Sequence, residues 1–296
     1  GSSSAHILNK KKGDILIKID RSKPVIIICH GYLSWRNQML LSGLAVKLVD
    51  TLQSCHAIRF DFGGNGHSSG EWRLTNVDGL FNDLERVVTF VRETLRCDIC
   101  CIAGHSMGAM PVLRHAWEQT QQHHQQQQKD EKIKKDPAEE NGIDERETLS
   151  TTTNTTGKKM NVPCYVNLAG RCYQSPNGHY IDSLSQSKRD ELLQHKKFEL
   201  QSQGQRRRVV TEQDIKERDQ YDSSFVKNIH DSVSVLTIHG DADTVVDVTN
   251  AKKFDEFIPN HKLCIIQNAD HNFNGLKYMD NIVDAVGLFL HKNAGV

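Results

Sequence analysis

The apolar residues of this chain gather in short unbroken runs, and between the runs they recur at helical spacing. Val25–Cys29 is the clearest run, with five apolar residues in a row after Pro24, as in a parallel strand covered on both faces. Ala57–Phe60, Cys100–Ala103, Pro163–Leu168, Val233–Ile238 and Leu263–Ile266 read as further strands. Met39–Leu52, residues 76–95, Met107–Trp117, Val248–Phe257 and Tyr278–Leu290 read as helices. In 76–95, Leu80, Leu84, Val87, Val88 and Val91 form one stripe, with Asn76 or Thr75 placed to cap it. Strand and helix alternate, which predicts a mostly parallel central sheet with helices on both faces. Ahead of this, His6-Ile7-Leu8 and Ile15–Ile19 flank a Lys-rich turn and read as a hairpin.

Two stretches depart from the pattern. Residues 118–161 run through Gln and His repeats, mixed charge and a Thr-rich tract, a low-complexity insertion expected to stay disordered. Residues 171–230 are polar and rich in helix formers, with Leu184, Leu192, Leu193 and Phe198 as sparse apolar anchors. An excursion of this kind between two core strands predicts a small cap over the sheet edge. The whole chain, 1–296, then forms one domain.

Composition narrows the function. Lys plus Arg total 37 and Asp plus Glu total 37, so there is no electrostatic footprint for nucleic acid or an anionic membrane. Arg206-Arg207-Arg208 is a local basic cluster, read as a solvated face. No apolar run approaches the roughly 18 residues of a membrane span, and the N-terminal residues lack a secretory apolar core. The leading Gly1-Ser2-Ser3-Ser4 leaves open a targeting segment removed upstream. The eight cysteines sit in or beside strand-like runs, as small buried hydrophobes in a reducing, cytoplasmic compartment. Cys97-x-x-Cys100 lacks the second pair a metal site needs, and the sequon at Asn154 is expected to be silent.

The chemistry centres on Gly104-His105-Ser106-Met107-Gly108, which lies between a strand and a helix. In G-x-S-x-G the serine occupies a strand-to-helix turn too tight for side chains at the flanking positions, and its hydroxyl is lifted clear of the sheet. A serine hydroxyl needs a base, and the base needs an orienting carboxylate. In an open parallel sheet both belong just past the carboxyl ends of later strands. Asp243 follows the strand ending at Ile238, and His271 follows the strand ending at Ile266. Ser106, Asp243 and His271 are therefore the candidate nucleophile, orienter and base, in the chain order expected of this motif. Asp241 is the rival for Asp243. Asp270, Asp61, His30 and His105 are read as turn or packing residues. A histidine base predicts a rate that rises with pH near the ordinary imidazole value of about 6.5.

These residues resemble the α/β-hydrolase superfamily, and within it the small-cap serine hydrolases that include cinnamoyl and feruloyl esterases. His30-Gly31-Tyr32 stands where those proteins have HGF, and Arg59–Gly66 is similar to their RFDFxGxG loop. His239–Val246 resembles HGxxDxxVP, and Ala269-Asp270-His271 resembles the (A/G)DH segment. The resemblance implies the α/β-hydrolase fold and an oxyanion hole from the backbone N–H groups of Tyr32 and Met107. It implies hydrolysis of a small-molecule acyl ester through an acyl-enzyme on Ser106, with no cofactor. Thioester, monoacylglycerol or amide hydrolysis stays open, as does a non-hydrolytic binding or interaction protein on the same fold. Substrate and oligomeric state are not encoded in the motifs. Asp247, in place of the family's proline, is expected to loosen the Asp243 loop.

Overall fold

The computed structural model describes residues 4–7, 17–74, 76–121, 161–173, 180–200 and 208–296. Six parallel strands form the central sheet: β3 (Val25–Cys29), β4 (His56–Arg59), β5 (Ile99–His105), β6 (Cys164–Leu168), β9 (Ser234–Gly240) and β10 (His261–Ile266). Their spatial order is β10-β9-β6-β5-β3-β4. After β3 the chain places β4 on one side and β5 on the other, so the order reverses between β3 and β5. A crevice at the carboxyl ends of the strands opens at such a reversal. The segments that emerge there begin with His30-Gly31-Tyr32 and with Ser106.

Both faces of the sheet are covered, which is why its strands carry continuous apolar runs. Ile26 and Ile28 pack with α1 (Met39–Leu52) and α7 (Leu276–Ala294). Val25, Ile27 and Cys29 face the other way, toward α2 (Val77–Thr89), α3 (109–121) and α6 (Thr249–Phe257). Asn76 caps α2 by accepting the Gly79 N–H at 3.1 Å. The helix expected to continue to residue 95 instead widens into a π turn over Phe90–Leu95, with Val91 and Leu95 still buried. Pro111 falls in the first turn of α3, where its missing N–H leaves no hydrogen bond unmade.

Strand β1 (Ser4–Ile7) pairs antiparallel with β2 (Ile17–Asp20); the first starts two residues earlier and the second two residues later than expected, and the residues between them lie outside the described ones. Helix α3 takes in residues 118–121, so the insertion begins later than expected; residues 122–160, with Asn154, lie outside the description. All eight cysteines are unbridged, and seven of them are buried. Among the described residues no helix is long and apolar enough to cross a membrane.

Between β6 and β9 the chain builds α4 (Gln186–His195), the antiparallel pair β7 (Lys197–Leu200) and β8 (Arg208–Thr211), and α5 (Glu212–Gln220). Leu184, Leu192, Phe198, Val210 and Ile215 pack with Trp72 and Leu74, and Tyr32 and Leu33 join them. Leu193 is 66% exposed, because a helix turns it away from the face its neighbour Leu192 buries. Arg208 is a second departure. Read as solvated, it is 1% exposed: an Nη donates to Asn65 Oδ1 at 3.2 Å and the guanidinium lies over the Trp72 ring. A planar, weakly hydrated cation with an aromatic face beside it tolerates that burial better than a lysine would. Arg206 and Arg207 fall outside the described residues.

Candidate active site

Ser106 directly follows β5 with φ +53, a left-handed conformation that side chains larger than hydrogen rarely adopt and that costs about 1–2 kcal/mol. The flanking glycines are sterically required. A Cβ on Gly104 would lie 2.3 Å from Gly108 O, and a Cβ on Gly108 would lie 2.5 Å from His30 O. Strand β5, the start of α3 and the end of β3 therefore meet at backbone contact distance around the serine. The turn lifts Oγ to 2.9 Å from His271 Nε2. His271 Nδ1 is 2.7 Å from Asp243 Oδ2. A carboxylate accepts, so Nδ1 carries the proton and Nε2 is bare toward the hydroxyl.

The loops that bring Asp243 and His271 together are tied to each other. Asn268 N–H donates to Asp241 Oδ1 at 2.6 Å, and Ala242 N–H to Ala269 O at 3.1 Å. Asp241, the rival carboxylate, thus joins the two loops, and the carboxylate that meets His271 Nδ1 is that of Asp243. Gly240 makes this docking possible, since a Cβ there would sit 2.0 Å from Ala269 O. Gly240→Ala is expected to push the His271 loop outward. Overpacking of this kind costs about 1–3 kcal/mol, and it lengthens the 2.9 Å contact between His271 Nε2 and Ser106 Oγ. Urea denaturation measures the cost.

Asp243 is buried, and its Oδ1 accepts the N–H groups of Val245 and Val246, both at 2.8 Å. Burial alone would raise its pKa, but hydrogen bonds from His239, His271 and the Val246 N–H outweigh burial and hold the carboxyl well below its ordinary range. Asp61 behaves alike. Its buried carboxylate accepts Arg36 N–H at 2.6 Å and His67 N–H at 3.0 Å and pairs with the Arg36 guanidinium. Against burial, which raises it, those N–H groups and the charges of Arg36 and His30 bring its pKa below the usual value. Stability from a depressed carboxyl is fully present above the unfolded value of about 3.9 and is lost as pH falls through the folded value. The urea midpoint is therefore expected to hold from pH 7 to 5 and to fall steeply below about pH 4. Asp61→Asn should start less stable and decline less steeply.

The other polar candidates are structural. His30 accepts Phe62 N–H at Nε2 and donates from Nδ1 to Gly31 O. Asp270 Oδ1 accepts Asn274 N–H at 2.8 Å. His105, expected to bond locally, reaches across to His271, where its Nε2 lies 2.9 Å from the backbone oxygen. Burial lowers the His105 pKa to about 4, so near neutral pH it stays an uncharged donor that holds the loop carrying His271. Asp247 does not loosen its loop: Oδ1 accepts Thr249 N–H at 2.8 Å and its carbonyl accepts Asn250 N–H, which closes the turn into α6.

Ser106 opens into a cavity of about 550 Å³. Leu74, Val77, Leu80, Met107, Met110 and Val246 form its apolar wall. Tyr32, Tyr173, Tyr180, Arg171 and Arg218 form a polar wall, most of it supplied by the 171–230 excursion. Tyr32 and Met107, whose N–H groups are the two expected oxyanion donors, line the same cavity as Ser106. The Tyr32 hydroxyl lies 3.4 Å from the Tyr180 hydroxyl, with the ring against Trp72. Tyr173, Tyr180 and Arg218 were not foreseen, for they sit in a polar segment with no periodic or motif signal. Among the described residues no cluster of His, Cys, Asp or Glu is arranged to hold a metal ion.

Residues 20–129 match the model of the Hydrolase_4 family, described as "Serine aminopeptidase, S33". The matched stretch holds His30-Gly31-Tyr32 and Ser106 and ends before Asp243 and His271. Among curated proteins, none matches the chain by sequence. Among solved structures, Est1E of Butyrivibrio proteoclasticus, with ferulic acid bound, is 15% identical with TM-score 0.62, covering 99% of this chain and 96% of that one. The esterase Pf2001 of Pyrococcus furiosus is 18% identical with TM-score 0.58, covering 99% and 93%. Alpha/beta hydrolase domain-containing protein 10 from mouse is 16% identical with TM-score 0.60, covering 98% and 99%. In sheet order and in these likenesses, the chain has the α/β-hydrolase fold.

Proposed function

We propose that this protein is a serine hydrolase that cleaves carboxylic esters of small molecules through an acyl-enzyme on Ser106. The observation that carries the reading is the continuous hydrogen-bonded line Ser106 Oγ–His271 Nε2 and His271 Nδ1–Asp243 Oδ2, with Ser106 lining a cavity. His271 takes the Ser106 proton as Oγ attacks the ester carbonyl, and Asp243 stabilises the imidazolium. The oxyanion of the tetrahedral intermediate is held by the Tyr32 and Met107 N–H groups, each donor of this type contributing about 10²–10³ in rate. His271 then protonates the departing alkoxide, and water attacks the acyl-enzyme by the same route in reverse.

In this reading the 171–230 excursion is the cap, and it shapes the pocket for the acyl and alcohol parts. A cavity of about 550 Å³ falls within the range for small-molecule sites. Pf2001, similar in fold, is named an esterase, which favours ester over amide among the chemistries a triad supports. Eight unbridged cysteines suit a reducing, cytoplasmic setting. A fluorophosphonate probe is expected to label the protein at Ser106, and p-nitrophenyl esters of graded chain length to turn over with an optimum set by the cavity. No labelling above that of Ser106→Ala sinks the serine-hydrolase reading. Labelling without turnover of any ester sinks the ester assignment.

A further inference from the structure

His239 lies within β9, one residue before its end, and four residues ahead of Asp243; its side chain is fully buried. Its Nε2 is 2.7 Å from Val246 O and 3.2 Å from Asp243 Oδ2. A carbonyl can only accept, so Nε2 carries the proton, and that single N–H is shared between the carbonyl and the carboxylate. Asp243 therefore faces four donors. Val245 N–H and Val246 N–H lie on Oδ1, and His271 Nδ1–H and His239 Nε2–H lie on Oδ2.

We propose that His239 is a positioning residue of the Ser106–His271–Asp243 site, holding Oδ2 in line with His271 Nδ1 and drawing off part of the carboxylate's charge. The proposal rests on the hydrolase reading above. Its physical content is a competition for one oxygen. A carboxylate oxygen that accepts a second N–H is a weaker partner for the imidazolium that forms during the reaction. His239 also ties the loop at two points, Val246 O and Oδ2, so the carboxylate cannot swing about its χ2 without breaking a buried hydrogen bond. The hydrogen bond from His239 is the foremost influence that lowers the Asp243 carboxyl against the opposing effect of burial.

Other charged or titratable groups border this pair. They are His105 from β5, His271 and Asp270 from the loop after β10, Asp247 from the loop before α6, and Arg171, which donates to Val245 O. Substitution at position 239 leaves all of them in place, so a shift in pH behaviour reports the lost donor.

The test compares wild type with His239→Leu and His239→Gln, whose amide N–H reaches where Nε2–H stood. In the Leu variant kcat is expected to fall about 10- to 100-fold with KM within about twofold. The acid limb of kcat/KM should move up by about half to one pH unit, because the unshared carboxylate holds the imidazolium more tightly. The Gln variant should return the limb to its wild-type place. The ring titration of His271, followed by NMR, should move with the limb and needs no turnover. A Leu variant that loses thermal stability while both the limb and the ring titration stay put overturns the proposal. If Leu does not fold, the Gln variant against His239→Asn, whose amide is too short to reach Oδ2, replaces that comparison with the same expected and overturning results. A wild type inert to esters and probe whose His271 titration still shifts on substitution overturns the hydrolase reading and leaves the positioning role supported.

Discussion

Ser106→Ala is expected to lower ester turnover by about 10⁶-fold, the scale on which a nucleophile of such a triad is lost. The reason is that no other group reaches the reacting carbon. Ser106 Oγ is the atom His271 Nε2 faces at 2.9 Å, and burial raises the thiol pKa of Cys29, at the end of β3, and of Cys101, within β5, which leaves them inert at neutral pH. The same position separates activity from stability. Alanine keeps the left-handed strain at φ +53, whereas Ser106→Gly removes it. The glycine variant is expected to be as inactive as alanine yet more stable than wild type by about 1 kcal/mol, a strain stored for function. Single-turnover assays and thermal melts on the three proteins settle both halves. A glycine variant that melts below wild type would contradict the assignment of strain to Ser106.

The fold was legible because its strands are buried on both faces. Val25–Cys29 reads as a strand in any frame, and α1 was placed at Met39–Leu52 to the residue. Boundaries slipped where burial is partial. Strand β10 is an edge strand, half-exposed, and its first two residues, His261 and Lys262, carry no apolar signal. The site was legible wherever chemistry demands one residue type at one place in the topology: a serine between glycines, an acid and an imidazole past later strands. It was illegible where several residue types serve equally. Arg208 looked solvated because its neighbours in sequence are charged, and only folding reveals Trp72 and Asn65 around it. His239 was visible within a resembling motif but had no evident task, since its role depends on a χ angle that brings Nε2 to Asp243. Asp247 carries a related lesson. A missing proline suggests slack, but an aspartate that accepts the N–H two residues on, from Thr249, ties the turn by a hydrogen bond where the family has a ring.

Asp243→Asn is expected to reduce kcat by about 10⁴-fold while the protein stays folded, and the four donors around the carboxylate explain why. Asparagine offers one acceptor oxygen in place of two. The Val245 and Val246 N–H groups, fixed in the backbone at 2.8 Å, claim that oxygen, which turns the amide NH₂ toward His271 and His239. An NH₂ donates, so His271 Nδ1 must accept, and the imidazole proton moves to Nε2, where it confronts the Ser106 hydroxyl as a second donor. The base is then present, correctly placed and in the wrong tautomer. His239 cannot relieve the conflict, because its Nε2–H is committed to Val246 O at 2.7 Å and now points at an N–H instead of an oxygen. Asp243→Glu is expected to retain more activity than Asn despite its extra methylene, because it keeps two acceptor oxygens. Fluorophosphonate labelling rates give the ordering wild type, Glu, Asn, and NMR of the His271 ring nitrogens reports the tautomer directly. An Asn variant whose Nδ1 still carries the proton, or which labels faster than the Glu variant, would show that Asp243 does not act by fixing the tautomer.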